Sequence, residues 1–220
     1  METQNQHKMK GGATNTEFYI QLALIMALIL VINFNAVRVF SSSGNTVGSE
    51  SVSVSEIIPK GVPAVYGNEL GVSYNDVSPN DPRLADSTIK KLSQYEDMEL
   101  SGEELDRYIK IGSSISCEYC CGAKAIIFSN GERACGCAHS YAMRGLAKYL
   151  LTNHPEMSDA EILSELGKWK VLFFPGIHEQ KAQVLEANGI DSTDYINLAS
   201  NAYRGIEQGQ ASGGDMVGGC

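Results

Sequence analysis

The stretch CEYCCGAKAIIFSNGERACGCAHS, residues 117 to 140, holds five of the six cysteines of this 220-residue chain and one of its four histidines. Sulfur at this density restricts the fold, because the thiols must be gathered on a metal, joined in disulfides or kept as a redox pair. The order is C-x2-C-C, thirteen residues, then C-x-C-x-H. A C-x2-C turn sets two sulfurs a few ångströms apart on one tight loop, which is how half of a tetrahedral thiolate site is built.

The residues between the two groups read as a return path. AKAIIF is a β-prone run, and SNGE carries the Asn-Gly pair that favours a tight hairpin turn, so the spacing predicts a β-hairpin closing the site. The second group then falls at a helix start, where the backbone N–H groups and the helix dipole favour thiolates. Knuckle, hairpin and a helix bearing the second ligand pair together resemble a treble-clef zinc finger, with C-x-C in place of the usual C-x2-C at the helix start.

The expected metal ligands are Cys117, Cys120, Cys135 and Cys137, with Cys121 and His139 as alternates. Sulfur and imidazole suit zinc, thiolate with nearby methionine suits Cu(I), and four thiolates also hold an iron–sulfur cluster. Met143, four residues after His139, reads as core rather than ligand. His154 and His178 read as surface loop residues. Two other uses of the cysteines remain open. They can form two disulfides with one left over, although the adjacent Cys120 and Cys121 bridge each other poorly. Alternatively, Cys117 and Cys120 can act as a redox dithiol, although no thioredoxin-like βαβ pattern surrounds them.

A second constraint lies near the N-terminus. FYIQLALIMALILVINFNAVRVF carries no charged residue from Phe18 to Val37, and at about 1.5 Å per residue such a run spans a bilayer core of about 30 Å. The sequence therefore predicts a single transmembrane helix over 18–40. Lys8 and Lys10 before it against Arg38 after it favour a cytoplasmic N-terminus and an external domain, in the cell membrane. The serine-rich residues 41–56 follow as a spacer.

Helical signals dominate from there. DPRLADSTIKKLSQYEDM places Pro at a first helical position. Ser101 with Glu104 and Ser158 with Glu161 each match a capping box. AHSYAMRGLAKYLLTN, IHEQKAQVLEANG and STDYINLASNAYRGIEQ read as further helices. The predicted organisation is a tail over 1–17, the span 18–40, the linker 41–56, a cysteine-motif domain over 57–207 and a glycine-rich, disordered tail over 208–220. The fold class is mainly α with one β-hairpin.

A formal net charge of −9 and the absence of a Lys/Arg block disfavour nucleic acid as a partner. No serine-nucleophile elbow, phosphate loop or H-E-x-x-H is present. The functions left are a membrane-anchored metal-binding domain with a structural or metal-handling role, a disulfide-stapled module for an envelope partner, or a thiol–disulfide redox protein.

On CEYCC, ACGCAHSYAMRGLAKYLL and ELGKWKVLFFP, from about Val65 to Pro175, the chain resembles uncharacterised membrane-anchored proteins of archaeal genomes. CGCAH is also similar to the cysteine motif of PCYCGC-motif lipoproteins, without the Pro and without a lipobox cysteine. Both resemblances imply an envelope-anchored domain organised around its cysteines.

Overall fold

The computed structural model describes residues 54–208, Met216 and Val217, and Tyr19, Ile20, Ile25 and Met26. The proposed span 18–40 therefore lies outside the described residues except at Tyr19, Ile20, Ile25 and Met26. The chain divides into two units, Met1–Glu50 and Ser51–Cys220. Among the described residues no helix is long and apolar enough to cross a membrane. The longest runs 16 residues and contains Arg144 and Lys148, so a membrane-spanning helix is not part of the described fold.

The domain is built on five helices of twelve or more residues: α3 (Pro82–Ser93), α4 (Gly102–Ser113), α6 (Ala138–Asn153), α7 (Asp159–Phe173) and α8 (Pro175–Ala187). Short helices α1 (Val54–Ile57), α2 (Gly67–Leu70), α5 (Glu118–Cys121) and α9 (Tyr195–Ala199) fill the connections. Several starts follow local chemistry. The Asp81 carboxylate accepts from Leu84 N–H with Pro82 at the first turn, and Ser158 and Glu161 form a reciprocal capping box. The second expected box is not formed. Ser101 makes no side-chain cap bond at α4, where Gly102 takes a left-handed φ of 55°.

Helix α6 is the axis of the domain, packed against α3, α4 and α7. It buries residues on every side, from His139 and Met143 to Leu146, Leu150 and Leu151, as a central helix must. Its closest neighbour is α3. A Cβ placed on Gly145 would meet the backbone carbonyl oxygen of Leu92, so glycine sets how near these two helices lie. The main core runs from Tyr66 through Leu92, Ile111, Leu146 and Trp169 to Phe173, and it includes Cys117, Cys135 and Cys137. A smaller core joins Ile57, Val171, Leu185 and Leu198.

The expected β-hairpin, and with it the treble-clef-like arrangement, is not what the chain forms. The described residues contain no strand, and the two arms share one antiparallel bridge, Ile127 with Arg133. The turn is present: Gly131 has φ 85°, and its N–H donates to the Phe128 carbonyl at 2.9 Å. The arms pair only near the turn, where Phe128 N–H donates to the Glu132 carbonyl and Ala134 N–H to the Ile126 carbonyl, and other backbone groups bond elsewhere. Ile126 N–H donates to the Ile115 carbonyl, and the carbonyls of Ile126 and Cys135 both accept from the Arg144 guanidinium at 2.9 Å. Ile126 and Ile127 are moreover both buried, so the arm does not alternate as a half-buried strand would. The last expected helix also divides, into α9 and a 3-10 turn at Asn201–Tyr203.

Candidate metal centre

Two chain segments supply the sulfur. Ser116 and Cys117 lead into α5, a single helical turn that Gly122 ends in a left-handed conformation, φ 68°. This turn puts Cys117 and Cys120 on the same side of the backbone, with Cys120 N–H donating to the Cys117 carbonyl at 3.2 Å. The opposite segment ends at Cys137, the N-cap of α6, and His139 lies in the first turn of that helix.

Residues 201–204 clamp the first segment from outside. Asn201 donates to the carbonyls of Ser113 and Lys124, and its side-chain oxygen accepts from Ser116 Oγ at 2.7 Å. Arg204 donates to Ser116 Oγ, to the Ala123 carbonyl at 2.8 Å and to the Gly122 carbonyl. Arg144 fixes the second segment from inside. Fully buried, it pairs with Glu96 at 2.7 Å while holding the Cys135 carbonyl.

Between these clamps Cys117, Cys120, Cys137 and His139 each present one ligand atom, all within 4.8 Å of one another. Cys137 Sγ lies 3.2 Å from Cys117 Sγ. A tetrahedral site with metal–sulfur bonds of about 2.3 Å sets its ligand atoms about 3.8 Å apart, so the cluster has the size of one metal ion. Cys117 and His139 are fully buried and Cys137 nearly so, with Cys120 at the edge.

The imidazole gives the cluster its direction. His139 Nε2 lies 2.8 Å from the Val217 carbonyl, so this nitrogen carries the proton, and Nδ1 is left buried with no hydrogen-bond partner. A histidine that donates one N–H to a backbone carbonyl and turns its other lone pair inward has the arrangement of a metal ligand with its outer partner in place. Phe173 and Phe174 pack against the ring at 4.6 and 5.0 Å and keep water from it.

The thiols are polarised before any metal arrives. The hydrogen bond between Cys117 and Cys137, with the Ser140 side chain and N–H, brings the Cys137 thiol well below the ordinary thiol range. The same bond, together with burial, raises Cys117 far above the ordinary thiol range. Cys137 is thus the thiol of the pair that ionises first, at the N-terminus of α6, where the helix dipole favours negative charge.

Of the six expected ligands, the structure gathers Cys117, Cys120, Cys137 and His139. Cys135 and Cys121 instead form a disulfide with each other, although Cys135 Sγ remains 3.5 Å from Cys137 Sγ. His139, expected as an alternate, takes the place expected for Cys135. Met143 is buried core. His154 is mostly covered and hydrogen-bonds Glu69, whereas His178, expected on the surface, is fully buried in α8 with Nδ1–H donating to the Phe174 carbonyl. The clamps Asn201, Arg204 and Arg144 escaped sequence reasoning. A lone Arg in an apolar helix such as α6 was the one available signal for Arg144.

A second buried polar group adjoins the first. Lys170, fully buried, pairs with Glu118 at 3.1 Å and donates to the Ala199 carbonyl. Burial lowers its pKa to about 8, with Glu118 opposing, and burial also lowers Lys181 and takes His178 well below its usual value.

These features define a helical domain with a buried Cys3His cluster that can hold a metal ion. Comparison with family models, curated proteins and solved structures finds no match for the chain.

Proposed function

We propose that the domain is a zinc-binding module in which Cys117, Cys120, Cys137 and His139 hold one ion in a closed, structural site. The observation that carries this reading is His139: a buried Nδ1 with no hydrogen-bond partner, beside three thiols, its other nitrogen engaged by the Val217 carbonyl. Three sulfurs with one imidazole favour zinc over an iron–sulfur cluster, which takes four thiolates, and over the two- or three-sulfur coordination that suits Cu(I). Burial of the ligands favours a structural or metal-holding role over catalysis, which needs an open position. Bound zinc would tie the α5 turn to the first turn of α6 and so fix the loop between them.

The uncharged run from Phe18 to Val37 supports association of the chain with a membrane, the metal domain lying on the outer side. Fractionation of cells expressing the full chain, with protease added from outside, checks both points.

Metal analysis of the full chain purified without oxygen tests the main reading. The expected result is about one zinc per chain, lost on chelation together with exposure of Cys117, Cys120 and Cys137 to alkylation. The Cys121–Cys135 disulfide supports a second reading, an envelope interaction module held by disulfides. In that case no metal is found, Cys117, Cys120 and Cys137 are alkylated without chelation, and Cys121 and Cys135 react only after reduction.

A further inference from the structure

The Cys121–Cys135 disulfide abuts the cluster, and this contact carries more than a staple. Cys137 Sγ lies between two groups of donors, 3.2 Å from Cys117 and 3.5 Å from Cys135. It also has the environment of a sulfur that bears more than its share of charge. Ser140 N–H points at it, Ser140 Oγ lies 3.4 Å away, and the N-terminus of α6 begins beneath it. Bridging thiolates in two-metal sites need such support.

The Cα atoms of Cys121 and Cys135 stand 6.8 Å apart, at the wide end of what a disulfide spans. Opening that bond therefore leaves room for two thiolates to turn toward a common ion with little backbone movement. Cys121 is exposed, so a reductant and a water ligand can both reach it.

We propose that reduction of the Cys121–Cys135 disulfide creates a second metal site, in which Cys121, Cys135 and a bridging Cys137 hold a soft divalent ion beside the Cys3His ion. The inference rests on the zinc reading above and gives that site a redox-dependent capacity. In the reducing step, a dithiol attacks the disulfide sulfur and passes through a mixed disulfide. It leaves as its own disulfide, with two electrons transferred and two protons ending on Cys121 and Cys135. Metal binding then displaces these protons as the thiolates coordinate. The protein would hold about one ion when oxidised and about two when reduced.

The test is a zinc titration of the full chain without oxygen, before and after treatment with a phosphine. Phosphine takes oxygen from water to become the oxide and leaves two thiols, without adding a competing sulfur ligand. The expected stoichiometry is about one zinc before and about two after. Cys121→Ser should return the reduced protein to about one, with the first affinity changed less than about threefold. A second readout guards against a variant that folds poorly: in reduced wild type, zinc should protect Cys121 and Cys135 from alkylation along with Cys117, Cys120 and Cys137. About one zinc in both states, with Cys121 and Cys135 still alkylated, overturns the second site and leaves the first. No zinc in the oxidised protein overturns the first site, and the second with it.

Discussion

Two buried polar groups lie side by side in this domain, and they are built on opposite rules. Around Lys170 opposite charges meet: its ammonium pairs with the Glu118 carboxylate, which Arg204 approaches at 3.9 Å, although the nearby Lys181 ammonium makes no hydrogen bond. Around Cys137 there is no such cation. Three sulfurs and an imidazole lone pair converge within 4.8 Å, with protons and backbone dipoles as the positive partners. Burying lone pairs against one another is unfavourable unless something positive sits between them. The lysine network already contains a counter-charge, whereas the sulfur–imidazole cluster gathers ligand atoms with no cation among them, and that contrast marks the cluster as the group that can hold an ion.

The largest effect that could break this contrast comes from removing a cluster donor. Cys137→Ser should lower zinc affinity by about a hundredfold or more and bring the melting temperature of the holo protein down to that of the chelated one. A competition titration with a chromophoric chelator reads the first quantity, and a thermal melt with and without chelator reads the second.

Next in size is Glu118→Gln, which leaves Lys170 buried without its counter-charge. Removal of one partner of a buried pair costs about 3–5 kcal/mol. The double change Glu118→Gln with Lys170→Met should recover most of that loss, as measured by urea unfolding of the zinc-loaded protein. Recovery would confirm that the lysine network needs only internal charge balance, and failure to recover would tie Lys170 to the thiolates instead.

Gly145→Ala follows, at about 1–3 kcal/mol for overpacking, because the new methyl must push α6 away from the Leu92 carbonyl. The same unfolding experiment reads it.

Histidine 178 gives a pH effect of similar size. Its folded pKa lies well below the usual 6.5, so between these two values the unfolded chain binds a proton that the folded one does not. Stability should therefore fall as pH drops below about 6.5, by up to about 1.4 kcal/mol per unit. A His178→Gln variant should show a shallower slope over the same window, with zinc removed from both proteins so that metal release does not enter.

The smallest effect separates two caps that share the S-x-x-E pattern. Ser158→Ala should cost about 1 kcal/mol and Ser101→Ala close to none, since only Ser158 makes its cap bond. Both matched the same S-x-x-E pattern. Propensity and spacing are local, but the cap at Ser101 was decided by the left-handed turn at Gly102, which the pattern does not encode.

The rest of the fold divides in the same way. Helix starts at Asp81 and Ser158 and the stop before Gly189 were legible, because each depends on a few neighbouring residues. The extent of the hairpin was not, because it rested on contacts outside it: Ile126 N–H bonds the Ile115 carbonyl, and Arg144 takes the carbonyl of Cys135, 9 residues away, and shares that of Ile126, 18 residues away. In the site, Cys117, Cys120 and Cys137 were legible from their spacing. The choice of His139 over Cys135 was not, since it depends on Cys135 meeting Cys121 and on Val217, 78 residues distant, taking the imidazole proton.

The most direct measurement of the central claim is X-ray absorption at the zinc edge of the oxidised, zinc-loaded full chain. Coordination by Cys117, Cys120, Cys137 and His139 requires three sulfurs at about 2.3 Å and one nitrogen at about 2.0–2.1 Å, with the imidazole scattering lost in His139→Ala. A shell of four sulfurs, or one of oxygens and nitrogens that ignores the His139 substitution, would contradict it.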